Sequence, residues 1–215
     1  MKEVVNETKA FLSFTLVWLA VGAVVMLLTE QRDLHLWFNA QNHPIADEFF
    51  KYATYMAEGV FAGAIVLMMF IYKIRYGVAA TVSFAGAGLL AQLFKRGLFS
   101  DIKRPSKVFE NIADLHFVQG VKLHSNFSFP SGHATEAFSI FFFLGFVSGN
   151  RGVQVFCFLC AMLVAFSRVY LSQHFFEDIY AGSILGTLYT TIIIALFHKR
   201  SWGNQGLLSA FDRKV

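Results

Sequence analysis

Six apolar runs constrain this chain more than any other feature. They cover roughly residues 11–28, 57–72, 77–94, 134–149, 153–169 and 179–197, each close to the about 20 residues that carry a helix across a bilayer. Between them charge is sparse. Of 215 residues, 15% are charged and 56% hydrophobic, and the mean hydropathy is +0.53. Soluble domains carry about 25% charged residues, so this composition excludes an ordinary water-facing surface. In hydrocarbon the backbone must satisfy its own hydrogen bonds, which leaves helices for runs of this kind. The expected architecture is all-α: an integral membrane bundle of six transmembrane helices forming one domain over residues 1–215, without room for a separate soluble module. The stretch LHLWFNAQNHPIADEFFKYATYM is too polar to span and reads as an interfacial, partly helical loop. The first run is longer than the apolar region of a secretory leader, so it reads as a retained span.

Net charge +4 does not point to nucleic acid, because loops on the cytoplasmic side of membrane proteins collect Lys and Arg. No basic stripe with interleaved aromatics lies outside the apolar runs. Cys157 and Cys160 form a C-x-x-C inside the fifth run, where small buried thiols are the expectation and redox work is not.

Six spans place both termini on one side and loops one, three and five on the other. The 18 Lys and Arg divide evenly between the two sides, so their number alone does not orient the chain. Those on the loop side are concentrated. Loop three carries Lys95, Arg96, Lys103, Arg104 and Lys107, and ends in Pro130-Ser131-Gly132-His133; loop five brings Ser167-Arg168, His174 and Asp178. Cations at membrane depth cost about 2.5–3.5 kcal/mol each at a span centre, and few acids are near to pair with them. A bound multivalent anion would satisfy them.

Local patterns fit a phosphate. Ser131 is placed to cap the fourth span, leaving amides near Gly132 and His133 free at a helix N-terminus, a natural anion seat. His174 and Asp178 are four apart and share a helical face. Asp178 is then able to fix the tautomer of His174 and leave its other nitrogen as a nucleophile. Arg168 and His174 are six apart, which breaks helical phase, so the fifth span is expected to end near Tyr170.

These pieces resemble the signature of the type 2 phosphatidic acid phosphatase (PAP2) family, the membrane branch of histidine phosphatases that share a core with vanadium haloperoxidases. Pro130 to His133 and Ser167-Arg168, His174, Asp178 match its second and third motifs. The first motif departs: Arg104-Pro105 is present, but Gly97 stands where the lysine belongs, with Arg96 and Lys95 just before it. The lysine role is carried to Lys95, with Arg96 as the substitute. The resemblance implies that His174 attacks phosphorus, Asp178 orients it, and His133 protonates the leaving oxygen and then activates water. Lys95, Arg104, Arg168, Ser131 and the Gly132 amide would hold the phosphoryl oxygens. It implies no metal and no cofactor, since the cations take the part a magnesium ion would play. The implied partners are a lipid phosphate and the bilayer, with no nucleic acid and no obligate protein partner. Substrates in view are undecaprenyl diphosphate, phosphatidylglycerol phosphate, phosphatidate and lipid A phosphates. A lipid phosphotransferase with the same site, or a six-span anion-binding transporter, stays open as an alternative.

The remaining polar residues have quieter readings. Lys103 and Lys107 suit headgroups or solvent, and His124 suits the loop. Glu136, one turn after His133, is either a first-turn acid favoured by the helix dipole or a residue that tunes His133 or contacts the substrate. Setting aside Lys95, Arg96, Lys103, Arg104 and Arg168 as site residues leaves fewer cations on the loop side than on the terminal side. The expectation is therefore a multi-pass protein of the inner membrane, termini cytoplasmic and site extracytoplasmic.

Overall fold

The computed structural model describes residues 1–198, 200 and 202–207. Lys199, Arg213 and Lys214, all counted on the terminal side, lie outside the described residues. Among those described, every regular element is helical. In chain order these are α1 (Lys2–Glu7), α2 (Lys9–Leu28), α3 (Gln31–Ala40), α4 (Pro44–Ala53), α5 (Gly59–Tyr72), α6 (Ile74–Gly97), α7 (Pro105–Val108), α8 (Gly132–Ser148), α9 (Arg151–Tyr170) and α10 (Phe176–His198), with a short 3₁₀ turn at Thr54–Ala57.

Each of the six apolar runs is helical. Helices α2, α6, α9 and α10 are long and apolar enough to cross a membrane on their own. The 14 residues of α5 reach that length only together with Pro44–Ala57, across a 46° bend at Glu58. The 17 residues of α8 rise about 25 Å, short of a hydrocarbon core of about 30 Å. Four helices thus have spanning length, or five with the bent pair, and α8 is the short central strut. The polar stretch between the first two runs forms α3 and α4, as its mixed pattern suggested.

Helix α8 is largely apolar and most of its residues are buried, on every side of the helix. It packs against α6, α9 and α10. Phe11 of α2 sits edge-to-face on Phe142 of α8 and Phe158 of α9, with centroids 5.2 and 5.6 Å apart. Its ends are specified locally. Ser131 accepts from the Ala134 amide at 3.4 Å, and Gly149 closes the helix in the left-handed region at φ 61°.

Two glycines bring α10 against the first turns of α8. A Cβ at Gly182 would lie 2.7 Å from the Ser131 carbonyl oxygen, and one at Gly186 only 2.2 Å from that of Thr135. A Ser139–Thr190 hydroxyl pair at 2.6 Å continues the seam. Small residues at such crossings let helix backbones approach where lipid supplies no hydrophobic drive. At the opposite end of the bundle, Gln154 receives the Ala10 amide at 3.1 Å and the Ile74 amide donates to the Gln205 carbonyl at 2.9 Å. The N-terminal helices and residues 203–205 therefore share the end remote from Ser131. Cys157 and Cys160 are free thiols.

Candidate active site

The C-terminal ends of α6 and α9 and the N-terminal ends of α8 and α10 meet at one end of the bundle, roofed by the segment between α6 and α8. Helix α9 ends at Tyr170, and the turn 171–175 leads into α10. That turn returns on Arg168, whose carbonyl accepts from the Gln173 amide at 2.9 Å and the His174 amide at 3.1 Å. Ser172 takes a left-handed conformation at φ 51° to make it, an unusual state for a residue with a Cβ.

His174 is 1% exposed and Asp178 is fully buried. Nδ1 of His174 lies 3.1 Å from Oδ2 of Asp178. A carboxylate only accepts, so Nδ1 carries the proton and Nε2 keeps its lone pair. Burial lowers the pKa of His174 well below 6.5, and Lys95, Arg104 and Arg168 push it the same way. Both effects favour the neutral ring. Oδ2 of Asp178 also accepts from the Phe175 amide at 2.9 Å and from Ser128 Oγ at 2.5 Å.

The carbonyl of Asp178 accepts from the Ser131 amide at 2.9 Å, which fixes the start of α8 beside the start of α10. The next two amides, of Gly132 and His133, have no hydrogen-bond partner among the described residues. Open space lies where a Gly132 Cβ would project. His133, on the first turn of α8, stands in the field of Arg168, Lys95 and Arg104.

Lys95 turns inward and is 3% exposed, whereas Arg96 faces out. The last turn of α6 therefore carries Lys95, not Arg96, toward Arg104, Arg168 and Asp178, whose charges bear on it. Arg104 is held by its surroundings: Nε donates to the Asn126 carbonyl at 3.0 Å and a terminal nitrogen donates to the Gln173 carbonyl at 3.2 Å. Arg168 donates to Thr54 Oγ1 at 2.7 Å, while its buried Nε has no partner. None of these three cations forms an ion pair among the described residues. Three converging cations, two free amides and a neutral histidine make a cradle for a phosphoryl group. A polar cleft of about 150 Å³, lined in part by Lys51, Lys122, His124 and Gln173, opens onto Arg168 from the loop side.

All eight residues singled out in the sequence are brought together. Lys103 and Lys107 are exposed, the latter paired with Glu110, and His124 is exposed in the loop. Glu136 is half-buried, its carboxylate against Gly88 of α6, within the fields of Glu58 and Lys95. Sequence reasoning missed Ser128, Thr54 and Gln173. Thr54 lies far back in loop one. Gln173 is one residue before His174 and has no pattern to mark it. Ser128 precedes Pro130 by two, and its place follows from the left-handed Phe127 at φ 57°, which no sequence rule foretells.

A model of the PAP2 superfamily matches residues 76–202, more than half of the chain. The chain belongs to the PAP2 superfamily. It is 29% identical over 173 residues to the lipid A 4'-phosphatase of Bacteroides thetaiotaomicron, across 78% of this chain and 76% of the relative. The crystal structure of Aquifex aeolicus LpxE superposes with a TM-score of 0.66 at 24% identity, covering 76% of this chain and 93% of that one. A transmembrane PAP2-type phosphatidylglycerolphosphate phosphatase from Bacillus subtilis gives 0.64 at 24% identity, covering 91% and 98%. At that identity the two structures speak to the fold alone, and the fold is that of a multi-pass PAP2 membrane protein.

Proposed function

We propose that this PAP2 protein hydrolyses the phosphomonoester or diphosphate of a membrane lipid through a phosphohistidine at His174. The observation that carries the reading is His174 itself: buried, neutral, anchored by Asp178 and facing three unpaired cations. The anionic phosphoryl group, once seated, offsets the surrounding cations, so that His133 takes up a proton from water; Nε2 of His174 then attacks phosphorus as the bond to the lipid oxygen breaks, and His133 gives that oxygen its proton. Lys95, Arg104, Arg168 and the Gly132 and His133 amides hold the phosphoryl oxygens as charge shifts between them. Ser131 sets the first turn that aims those amides. His133, now neutral, takes a proton from water entering by the polar cleft. The hydroxide oxygen bonds to phosphorus, the P–N bond breaks, and inorganic phosphate leaves by the same cleft.

The reading extends to a single membrane-embedded domain over residues 1–215, set in the inner membrane with the catalytic end extracytoplasmic and the termini cytoplasmic. Its partners are its lipid substrate and the bilayer. A lipid A phosphate heads the substrate panel, because the sequence relative described above is a lipid A 4'-phosphatase; phosphatidylglycerol phosphate, phosphatidate and undecaprenyl diphosphate follow.

The test is phosphate release by purified protein in detergent with excess EDTA, beside a His174→Ala control, together with acid-labile phosphate trapped on the protein. Release that vanishes in the variant supports the reading. Transfer of phosphate to a second lipid would reassign it as a phosphotransferase, and function that survives His174→Ala would favour a transporter.

A further inference from the structure

A second cavity, of about 340 Å³, opens on the lipid-facing side of the same helix ends. Helix α10 supplies one wall with Ala181, Ile184, Leu185 and Leu188, spaced as a single face. The neighbouring face, Gly182 and Gly186, is the one pressed on α8. Phe94 of α6 and Leu98, just past its end, form the opposite wall, and Phe129 and Pro130 close the inner end. No ionisable side chain lines it.

Two of its lining residues are direct chain neighbours of the phosphate seat. Pro130 adjoins Ser131, and Phe94 adjoins Lys95. The direction of the chemistry selects its occupant. In-line displacement puts the leaving oxygen on the face of phosphorus away from His174, beside His133, three residues after Pro130. The other opening of the site is lined by Lys51, Lys122 and His124 and does not suit hydrocarbon. The geometry points to this α6–α10 groove as the subsite for one hydrocarbon chain of the substrate lipid, an assignment that rests on the phosphatase reading for its direction.

From Ala181 to Leu188 the wall rises about 10 Å, enough for the headgroup-proximal part of a chain, the remainder running into the bilayer. Lipid tails are as apolar as leucine, so the groove gains little by hydrophobic transfer. Its effect is orientation: a seated chain aims the ester oxygen at His133.

Two experiments test this. In bilayer discs, His174→Ala protein would be photolabelled with phosphatidate bearing a diazirine midway along one chain, beside diacylglycerol with the same chain. The expected result is labelling of Ile184, Leu185 or Leu188 several-fold stronger with phosphatidate and suppressed by excess unlabelled phosphatidate. Equal labelling by both lipids, or labelling elsewhere, would mean that bulk lipid fills the groove and would overturn the assignment. In the active protein, Ile184→Trp and Leu188→Trp should each lower the ratio of kcat/KM for dioleoyl phosphatidate to that for a water-soluble aryl phosphate by about tenfold or more. A ratio indistinguishable from wild type in both variants also overturns it. Absence of His174-dependent aryl phosphate hydrolysis would instead sink the phosphatase reading, while the labelling comparison would still report on the groove.

Discussion

Gly186→Ala tests whether the α8–α10 contact sets the catalytic geometry. A methyl there would stand 2.2 Å from the Thr135 carbonyl oxygen, 3.0 Å from its carbon and 3.1 Å from Phe138 Cβ. The first two are backbone atoms of a buried helix, so no rotamer change relieves them. Ordinary contact begins at 3.4 Å, and α10 must therefore retreat from α8 by about 1 Å at this level. Helix α10 carries Asp178 two turns earlier, and α8 carries His133 and the free amides. A misplacement of about 1 Å costs on the order of 10²-fold in rate, and overpacking of this kind costs about 1–3 kcal/mol of stability. The expected outcome is a folded protein with phosphate release reduced about 100-fold and a lowered thermal midpoint. Gly63→Ala is the control, since nothing lies within 4 Å of its Cβ. Phosphate release and thermal unfolding would be measured side by side in one detergent. Wild-type turnover in Gly186→Ala would refute the claim that this contact positions the site.

Lys95→Ala should cut kcat/KM on the order of 100-fold, as loss of a transition-state donor does, while Arg96→Ala stays near wild type; steady-state kinetics on both decides which basic residue of α6 acts. Ser128→Ala removes a hydrogen bond to a charged acceptor worth about 1.5–3 kcal/mol, or about 10- to 100-fold in rate, read as slower phosphohistidine formation in rapid quench. Protonation would remove the Nε2 lone pair, and His174 resists it, so the acid limb of kcat/KM should lie below pH 6.5; a limb centred above 6.5 would count against His174 as nucleophile. His35 is 1% exposed and burial lowers its pKa to about 4. The unfolded chain binds that proton near 6.5 and the folded chain does not until about 4, so stability falls as pH drops through that window, by on the order of 3 kcal/mol. Thermal unfolding at pH 7 and 4.5 should show a larger loss in wild type than in His35→Phe.

The helical architecture was legible because the apolar runs are long and charge-poor, and the end of α9 at Tyr170 followed from the six-residue gap between Arg168 and His174. The length of each span was less legible. Helix α5 starts at a break beside Glu58 that hydropathy does not mark, whereas α8 stops at a left-handed Gly149 where its apolar run ends. Within the candidate site, the residues picked out by motif spacing lie at one end of the bundle. Thr54 and Ser128 were not, because each acts on a residue more than 40 positions away through loops whose course the sequence does not set. The choice between Lys95 and Arg96 was open for a related reason. Adjacent residues on a helix point about 100° apart, and only the packing of α6 decides which one turns inward.

In the two main motifs the same residues hold the helices together and shape the candidate site. Asp178 orients His174 with its carboxylate, and with its carbonyl it receives the Ser131 amide. The tautomer of His174 and the position of the α8 N-terminus are therefore fixed from a single residue. Ser131 in turn caps α8 with its hydroxyl, accepts the Thr135 amide and hydroxyl at its carbonyl, and meets Gly182 across the helix crossing. A change at either residue moves nucleophile and anion seat together. The cations are arranged differently. Arg104 hangs on Gln173 and Asn126, and Arg168 on Thr54, all outside the motifs. Their buried charge is left without an ion-pair partner, at a cost recovered when a phosphate binds. Substitution of Thr54 or Gln173 should therefore weaken phosphate binding while leaving the His174–Asp178 pair intact, a separation of binding from nucleophile geometry that changes at Asp178 cannot give.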